Sequence, residues 1–178
     1  MVKLYKRAGH QVQYWEAWKA GETTVTVHWG MLGETGNSKD VSVPRGKSAE
    51  DVIDRESQQP RSNGYEEISI DEHCGIIVQF KTEDAWGDTA DLDKRYQVED
   101  ILNDCLGWTG NGHCDGGDIG SGTINAYSFV VDPRLAKDAI VAALKKHGLI
   151  DGAIIAVQRG DYHEVLWPDD FQGRFSTL

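Results

Sequence analysis

The residues best able to do chemistry crowd into one stretch, Gly107-Trp108-Thr109-Gly110-Asn111-Gly112-His113-Cys114-Asp115-Gly116-Gly117-Asp118-Ile119-Gly120-Ser121-Gly122. Its glycines would let backbone amides approach an anion. Phosphate-binding loops, however, run from a strand into a helix and use the amides at the helix start. This stretch follows a helical pattern and precedes a strand-like one, and it lacks a Gly-Lys-Ser/Thr ending. It therefore reads as a flexible or bulged connection rather than a nucleotide site. Asp115 and Asp118 lack the bidentate glutamate and regular oxygen spacing of a dedicated calcium loop.

His73-Cys74 and His113-Cys114 repeat a His-Cys pair. Two imidazoles and two thiolates suit tetrahedral zinc. Neighbours on an extended strand point to opposite faces, so a dipeptide seldom supplies both ligands, and no metal is expected. A catalytic thiol needs an imidazole beside the sulfur and a third group to orient it, which adjacency of His113 and Cys114 does not provide. Cys105 falls on an apolar helical face and reads as packing. The chain is thus expected to carry no catalytic constellation, no cofactor and no enzymatic activity, with an enzyme or ligand-binding protein built on the 115–122 loop as a remote rival.

Trp86, Trp108 and Trp167 compete between two roles. Trp86 and Trp108 stand next to glycines, and an exposed ring within an acidic surface has the make-up of a binding hot spot. Packing against a sheet is the competing role. Trp86, Trp108, Asp115 and Asp118 are the candidate partner-binding residues.

Charge is placed unevenly along the 178 residues. Residues 1–65 carry nine Lys/Arg against eight Asp/Glu, and residues 66–178 nine against twenty-one, a split of +1 and −12. A half at −12 repels phosphate backbones and is steered towards a basic protein, so nucleic acid is disfavoured as a partner. Three cysteines, odd in number, give no disulfide framework and suit a reducing compartment. The longest apolar run, Ala153 to Val157, is far too short for a bilayer, so no membrane partner and a cytoplasmic location are expected.

The elements that must position these residues follow from periodicity. Gln11 to Trp18 is strand-like, and Lys19 to Glu22 supplies a hairpin connection. Thr23 to His28 alternates and leads into Trp29 as a half-buried strand, with Val25, Val27 and Trp29 on one side and Thr24, Thr26 and His28 on the other. Glycines 30, 33 and 36 mark a turn before a return strand at Lys39 to Val43. Ser48 with Asp51 makes a helix start, and Pro60 should stop that helix before it is reached. A further strand is read from Tyr65 to Ile70, and a domain boundary at Asp71 to His73.

Beyond that boundary Gly75 to Phe80 is an apolar strand. Val98, Ile101, Leu102 and Cys105 mark a buried helix face, with Gly107 placed to end it. Ile124 to Val131 is a strand, and Asp132-Pro133 opens a helix with Leu135, Ala136, Ala139, Ile140, Ala143 and Leu144 inward and Gly148 as its stop. Strands at Ala153 to Val157 and His163 to Trp167 complete the set.

Trp29-Gly30-Met31-Leu32-Gly33-Glu34-Thr35-Gly36, with Tyr14-Trp15-Glu16 before it and Gly64-Tyr65-Glu66 after the helix, resembles a WGR domain over the first ~70 residues. WGR domains occur in poly(ADP-ribose) polymerases, where they help dock DNA ends and neighbouring domains, and in bacterial regulators. The resemblance implies a twisted antiparallel sheet carrying one helix, with Trp29, Gly30, Met31 and Gly33 forming the signature turn. Met31 stands where the family has its arginine, so a guanidinium able to fork onto phosphate is replaced by a thioether. From about Cys74 to Pro168 the chain is similar to a group of small bacterial proteins of uncharacterised activity, which share Asp118-Ile119-Gly120-Ser121-Gly122, Asp132-Pro133 and Val165-Leu166-Trp167-Pro168.

The fold class expected is α+β: a WGR-like domain over 1–70, then an acidic ferredoxin-like β-α-β-α-β sandwich over 74–178. The function expected is a non-enzymatic binding protein whose acidic domain engages a basic protein partner, in bacteria an immunity factor. The alternative is a nucleic-acid-associated accessory protein acting through the WGR-like domain.

Overall fold

The computed structural model describes residues 1–177. The fold is α+β, with two antiparallel sheets of four and five strands and three α-helices. The chain divides into two compact units, one of Met1–Ser69 with Trp108–Gly110, the other of Ile70–Gly107 with the residues from Asn111 onward.

The first unit is a meander of β1 (Val2–Ala8), β2 (Gln11–Gly21), β3 (Thr24–Met31) and β4 (Asn37–Ser42), hydrogen-bonded in that order, followed by α1 (Ala49–Ser62). One face of the sheet presents Leu4, Trp15, Ala17, Val25 and Val27 to Ala49, Val52 and Ile53 of α1. Each such fully buried aliphatic side chain contributes about 1.5–3 kcal/mol. The start of α1 is fixed locally. Asp51 N–H donates to Ser48 Oγ at 3.1 Å and Ser48 N–H donates to Asp51 Oδ2 at 2.8 Å, a reciprocal capping box.

Three expectations for this unit need correction. α1 does not stop before Pro60 but contains it in its last turn, where the missing N–H costs one bond only. The following amides satisfy the helix end, Asn63 N–H reaching the carbonyls of Gln59 and Pro60. Tyr65 to Ile70 is not a strand: Glu66 alone pairs with Tyr5, and Ile70–Glu72 is a 3₁₀ turn. Alternation supplies a β pattern, but a ladder needs a partner edge, and the chain leaves β1 after a single pair. β1 itself escapes sequence reading, because Lys6 breaks the apolar alternation that Val2 and Leu4 begin. Finally, β3 is buried on both faces, with Thr26 and His28 buried along with the valines.

The second unit comprises β5 (Cys74–Lys81), α2 (Thr89–Trp108), β6 (Gly112–Gly120), β7 (Thr123–Val130), α3 (Pro133–Lys146), β8 (Ile154–Arg159) and β9 (Tyr162–Trp167). Its sheet runs β6-β7-β5-β8-β9, all neighbours antiparallel. The expected β-α-β-α-β order is thereby corrected to β-α-β-β-α-β-β. Each helical crossover skips one strand: β7 lies between β5 and β6, and β5 between β7 and β8. Ile76, Val78 and Phe80 of β5, Ile124, Ala126 and Val130 of β7, and Ile155 of β8 share one face. Val98, Ile101, Leu102 and Leu106 of α2 and Ala136, Ile140 and Leu144 of α3 pack on it.

The glycine-rich stretch is the largest departure. Gly112–Gly120 is a strand, not a loose connection, with a register shift between Cys114 and Gly116 that leaves Asp115 bulged. Glycines tolerate the pairing here because there is no room for a side chain: a Cβ on Gly112 would collide with the Phe129 carbonyl. Gly107 does not end α2, which runs on to Trp108, and Gly110 takes the positive φ of 67° that reverses the chain. Asp132 caps α3 as expected, accepting from the amides of Arg134 and Leu135. Leu135, however, turns outward. No described helix is long and apolar enough to cross a membrane.

Candidate functional site

In the first unit Trp29, Gly30 and Met31 belong to β3, and the turn proper is Leu32 to Gly36, with Gly33 at φ 89°. The turn is clamped from beneath by Tyr14. A Cβ on Gly30 would lie 2.8 Å from Gly36 Cα and 3.1 Å from the Tyr14 hydroxyl, and one on Gly36 would strike the Trp29 carbonyl. The glycines of the motif are there for this close approach. Behind the turn, Tyr14 OH sits 2.9 Å from His28 Nε2, and His28 Nδ1 lies 2.8 Å from Glu16 Oε1, whose other oxygen meets Lys3 Nζ at 3.2 Å. The Trp108 ring is edge-on to His28 and Trp18, at 5.0 Å and 6.1 Å between centroids. Burial pushes the Tyr14 hydroxyl up to about 12.

A tyrosine, histidine and carboxylate in series resemble a proton relay, but His28 is 1% exposed and neither cavity described below is lined by any of the three. Their evident work is structural: the relay satisfies polar groups that the sheet buries. Only the fold reveals it, since Glu16 and His28 alternate with apolar residues on strands read as open on that side.

The opposite face carries a cavity of about 390 Å³. Trp15 and Trp29 are directly paired across β2 and β3, and Gln59 and Asn63 at the end of α1, with Tyr65, close the sides. Trp29 is 36% exposed there. Lys39 on its edge is held by Glu56 at 2.9 Å, and Arg55 binds the same carboxylate. Those two contacts hold Glu56 below the usual carboxylate range.

The four candidate partner-binding residues fall in different surroundings. Asp118 has both oxygens engaged, accepting from Asn125 Nδ2 at 2.7 Å and from Tyr127 OH at 2.7 Å. Asn125 in turn accepts from buried Gln79, so this carboxylate terminates an internal polar chain. Desolvation, then the bond to Asp118, raises the Tyr127 hydroxyl above the usual tyrosine range. Asp115 is exposed on the bulge. Trp108 groups with the first unit, as described. Trp86 is 85% exposed.

The loop that carries Trp86 is pinned rather than loose. Thr82 N–H donates to the Gly122 carbonyl and Gly122 N–H to the Ala85 carbonyl, both at 3.0 Å, and Thr82 Oγ1 donates to the Asp84 carbonyl. Asp88 and Asp91 then exchange side chain–amide bonds of 2.9 and 3.1 Å, which starts α2. On the first turns of α2, Leu92 and Tyr96 follow at i, i+4 spacing and are also exposed. Glu83, Asp84, Asp88 and Asp93, neighbours of these residues in sequence, are exposed as well. Sequence reading identified Trp86 but missed Leu92 and Tyr96, because α2 begins well before the apolar repeat that revealed it.

The His-Cys pairs do not assemble: among the described residues no three His, Cys, Asp or Glu side chains cluster as a metal would require. The Cys114 thiol is raised by burial, and burial lifts that of Cys105 to about 12, so both resist becoming thiolate. Trp167, the third ring of interest, lies at the end of β9, partly buried against the core. Comparison of the chain with protein-family models, with curated proteins and with solved structures found no match in any of the three.

Proposed function

We propose that the protein is a non-enzymatic binding protein, whose acidic second unit holds a basic protein partner at the surface formed by Trp86, Leu92 and Tyr96. The observation that carries this is Trp86, an 85% exposed ring on a loop tied by backbone hydrogen bonds, in a segment whose Glu83, Asp84 and Asp88 are also exposed. Exposing so large a ring in water is costly for a lone chain, and a pre-ordered aromatic anchor loses little entropy on docking. These exposed acids would steer a basic partner and discriminate against acidic ones. A bacterial immunity factor that covers a toxin in the cytoplasm is the narrower form of this reading.

The β6-β7-β5-β8 order with two skipped strands supports a ferredoxin-like reading of the second unit. The four-stranded meander with one helix supports a WGR-like reading of the first. The second functional reading, a nucleic-acid-associated accessory protein, draws on half-exposed Trp29 beside Lys39, although that lysine is already ion-paired.

The test is affinity capture on the full chain from lysate, at low and raised salt, with Trp86→Ala in parallel. A basic protein should be retained, weakened by salt and lost by at least about tenfold with Trp86→Ala. Retention that ignores both salt and the substitution, or no basic protein retained at low salt, overturns the proposal. Binding to a DNA end that falls steeply with salt would favour the second reading instead.

A further inference from the structure

The second unit contains a cavity of about 540 Å³ at one end of its sheet, within the usual range for small-molecule sites. Its walls are aromatic and aliphatic: Phe80 from the end of β5, Trp167 from the end of β9, and Phe171 from the segment beyond. Around them stand three lysines from three different elements, Lys81 on β5, Lys94 on α2 and Lys145 in the last turn of α3. The lining includes one carboxylate, Asp151.

This is the reverse of the unit's overall charge, since residues 66–178 carry twenty-one acids against nine bases. At that ratio acids would on average outnumber bases around a cavity in this unit. Two of the lysines are also positioned by aromatic rings, half-buried Lys94 and exposed Lys145, while Lys81 is exposed at the rim. Lys94 Nζ lies 3.9 Å from the centroid of the Phe80 ring, and Lys145 Nζ 5.2 Å from that of Trp167. Cation–π contact fixes each ammonium beside the ring that walls the cavity. Among the described residues none of the three lysines is in an ion pair. Desolvation lowers the Lys94 ammonium below the ordinary lysine range, with Asp91 only partly opposing it. Lys94, half-buried against an aromatic wall and without an ion-paired carboxylate, gains most from an anion brought in from outside, and Lys145 on the facing ring adds a second cation.

We propose that this cavity binds a small organic anion with a flat apolar body, its ring system against Phe80, Trp167 and Phe171 and its anionic group between Lys94 and Lys145. The site is separate from the Trp86 surface, and its occupancy does not depend on the protein-binding role.

The probe is 8-anilinonaphthalene-1-sulfonate, a fused-ring sulfonate whose fluorescence rises in apolar surroundings, titrated into the folded full-length protein. Saturable binding with one probe per chain is expected. N-phenyl-1-naphthylamine, the same ring system without the sulfonate, should bind at least about tenfold more weakly. Lys94→Gln and Lys145→Gln should each weaken the sulfonate by about tenfold, and Lys94→Arg, which keeps the charge, should restore most of it. Lys137→Gln, on α3 but paired with Asp138 and outside the cavity lining, serves as the control and should leave sulfonate binding unchanged. Each variant is compared only after its circular dichroism and unfolding midpoint match the parent. Equal affinity for the sulfonate and the neutral amine, sulfonate affinity untouched by both glutamine substitutions, or non-saturating binding at several sites would each overturn the proposal.

Discussion

The cavity of the first unit and the cavity of the second are both walled by aromatic rings, and they differ in what their cations meet. Beside Trp29, Lys39 is neutralised at 2.9 Å by Glu56, which Arg55 shares. In the other cavity Lys94 rests on Phe80 and Lys145 on Trp167, and among the described residues neither is in an ion pair. The half of the chain with nearly balanced charge thus has the electrostatically closed groove, and the strongly acidic half has the cationic one. Net charge describes long-range steering of a partner, while the chemistry of a pocket depends on the few groups within one another's reach.

The same contrast extends into the interior, and the strongest way to break it is to remove Glu16. Glu16→Ala strips the acceptor from buried His28 and from Lys3, and should cost the first unit about 3–5 kcal/mol in urea unfolding. A cost below about 1 kcal/mol would mean that the first unit's internal pairing is incidental. Next in size is Asp118→Ala, which leaves the Tyr127 hydroxyl and the Asn125 amide without their acceptor. A loss of about 1–3 kcal/mol is expected in the second unit, and an unchanged midpoint would free Asp118 for the partner-binding role first considered.

Smaller effects sharpen the comparison of the two cavities. Lys39→Ala removes an exposed pair and should cost no more than about 1 kcal/mol, with the cost shrinking further in high salt. Lys94→Met should do the opposite and leave stability unchanged or slightly raised, within about 0.5 kcal/mol. Because the folded-state pKa of Lys94 is lowered, the fold disfavours its charged form. That penalty is fully present below the folded pKa and is relieved as pH rises towards the ordinary lysine value of 10.5. The gain from Lys94→Met should therefore be largest near neutrality and fade as pH approaches 10.5 in paired thermal melts. A destabilised Lys94→Met at neutral pH would show that the ammonium already has its counter-charge within the fold.

Much of the local structure was legible in the chain because its causes are local. Ser48 with Asp51, and Asp132 with Pro133, specify helix starts through atoms three residues apart. Alternation in β3 and short apolar runs in β5 and β8 were legible in the same way. The glycine-rich stretch misled because glycine, short of a side chain, carries no β signal of its own. Gly112–Gly120 is a strand only because β7 offers an edge and the Phe129 carbonyl leaves no space for a Cβ. Trp86 could be singled out beside Gly87, but nothing near it in sequence distinguished a pinned, exposed loop from a packed ring.

The sequence by itself therefore determined the class of elements, the caps that begin two helices, the acidic bias of residues 66–178 and the candidacy of Trp86. Tertiary structure alone decided that Asp118 serves Tyr127 and Asn125, that Trp108 packs edge-on against His28, and that three lysines far apart in the chain line one aromatic cavity. The physical reason is the range over which each is set. Caps and periodicity act across a few bonds, whereas hydrogen-bond satisfaction and the pairing of charges are settled between strands and helices that meet only once the chain has folded.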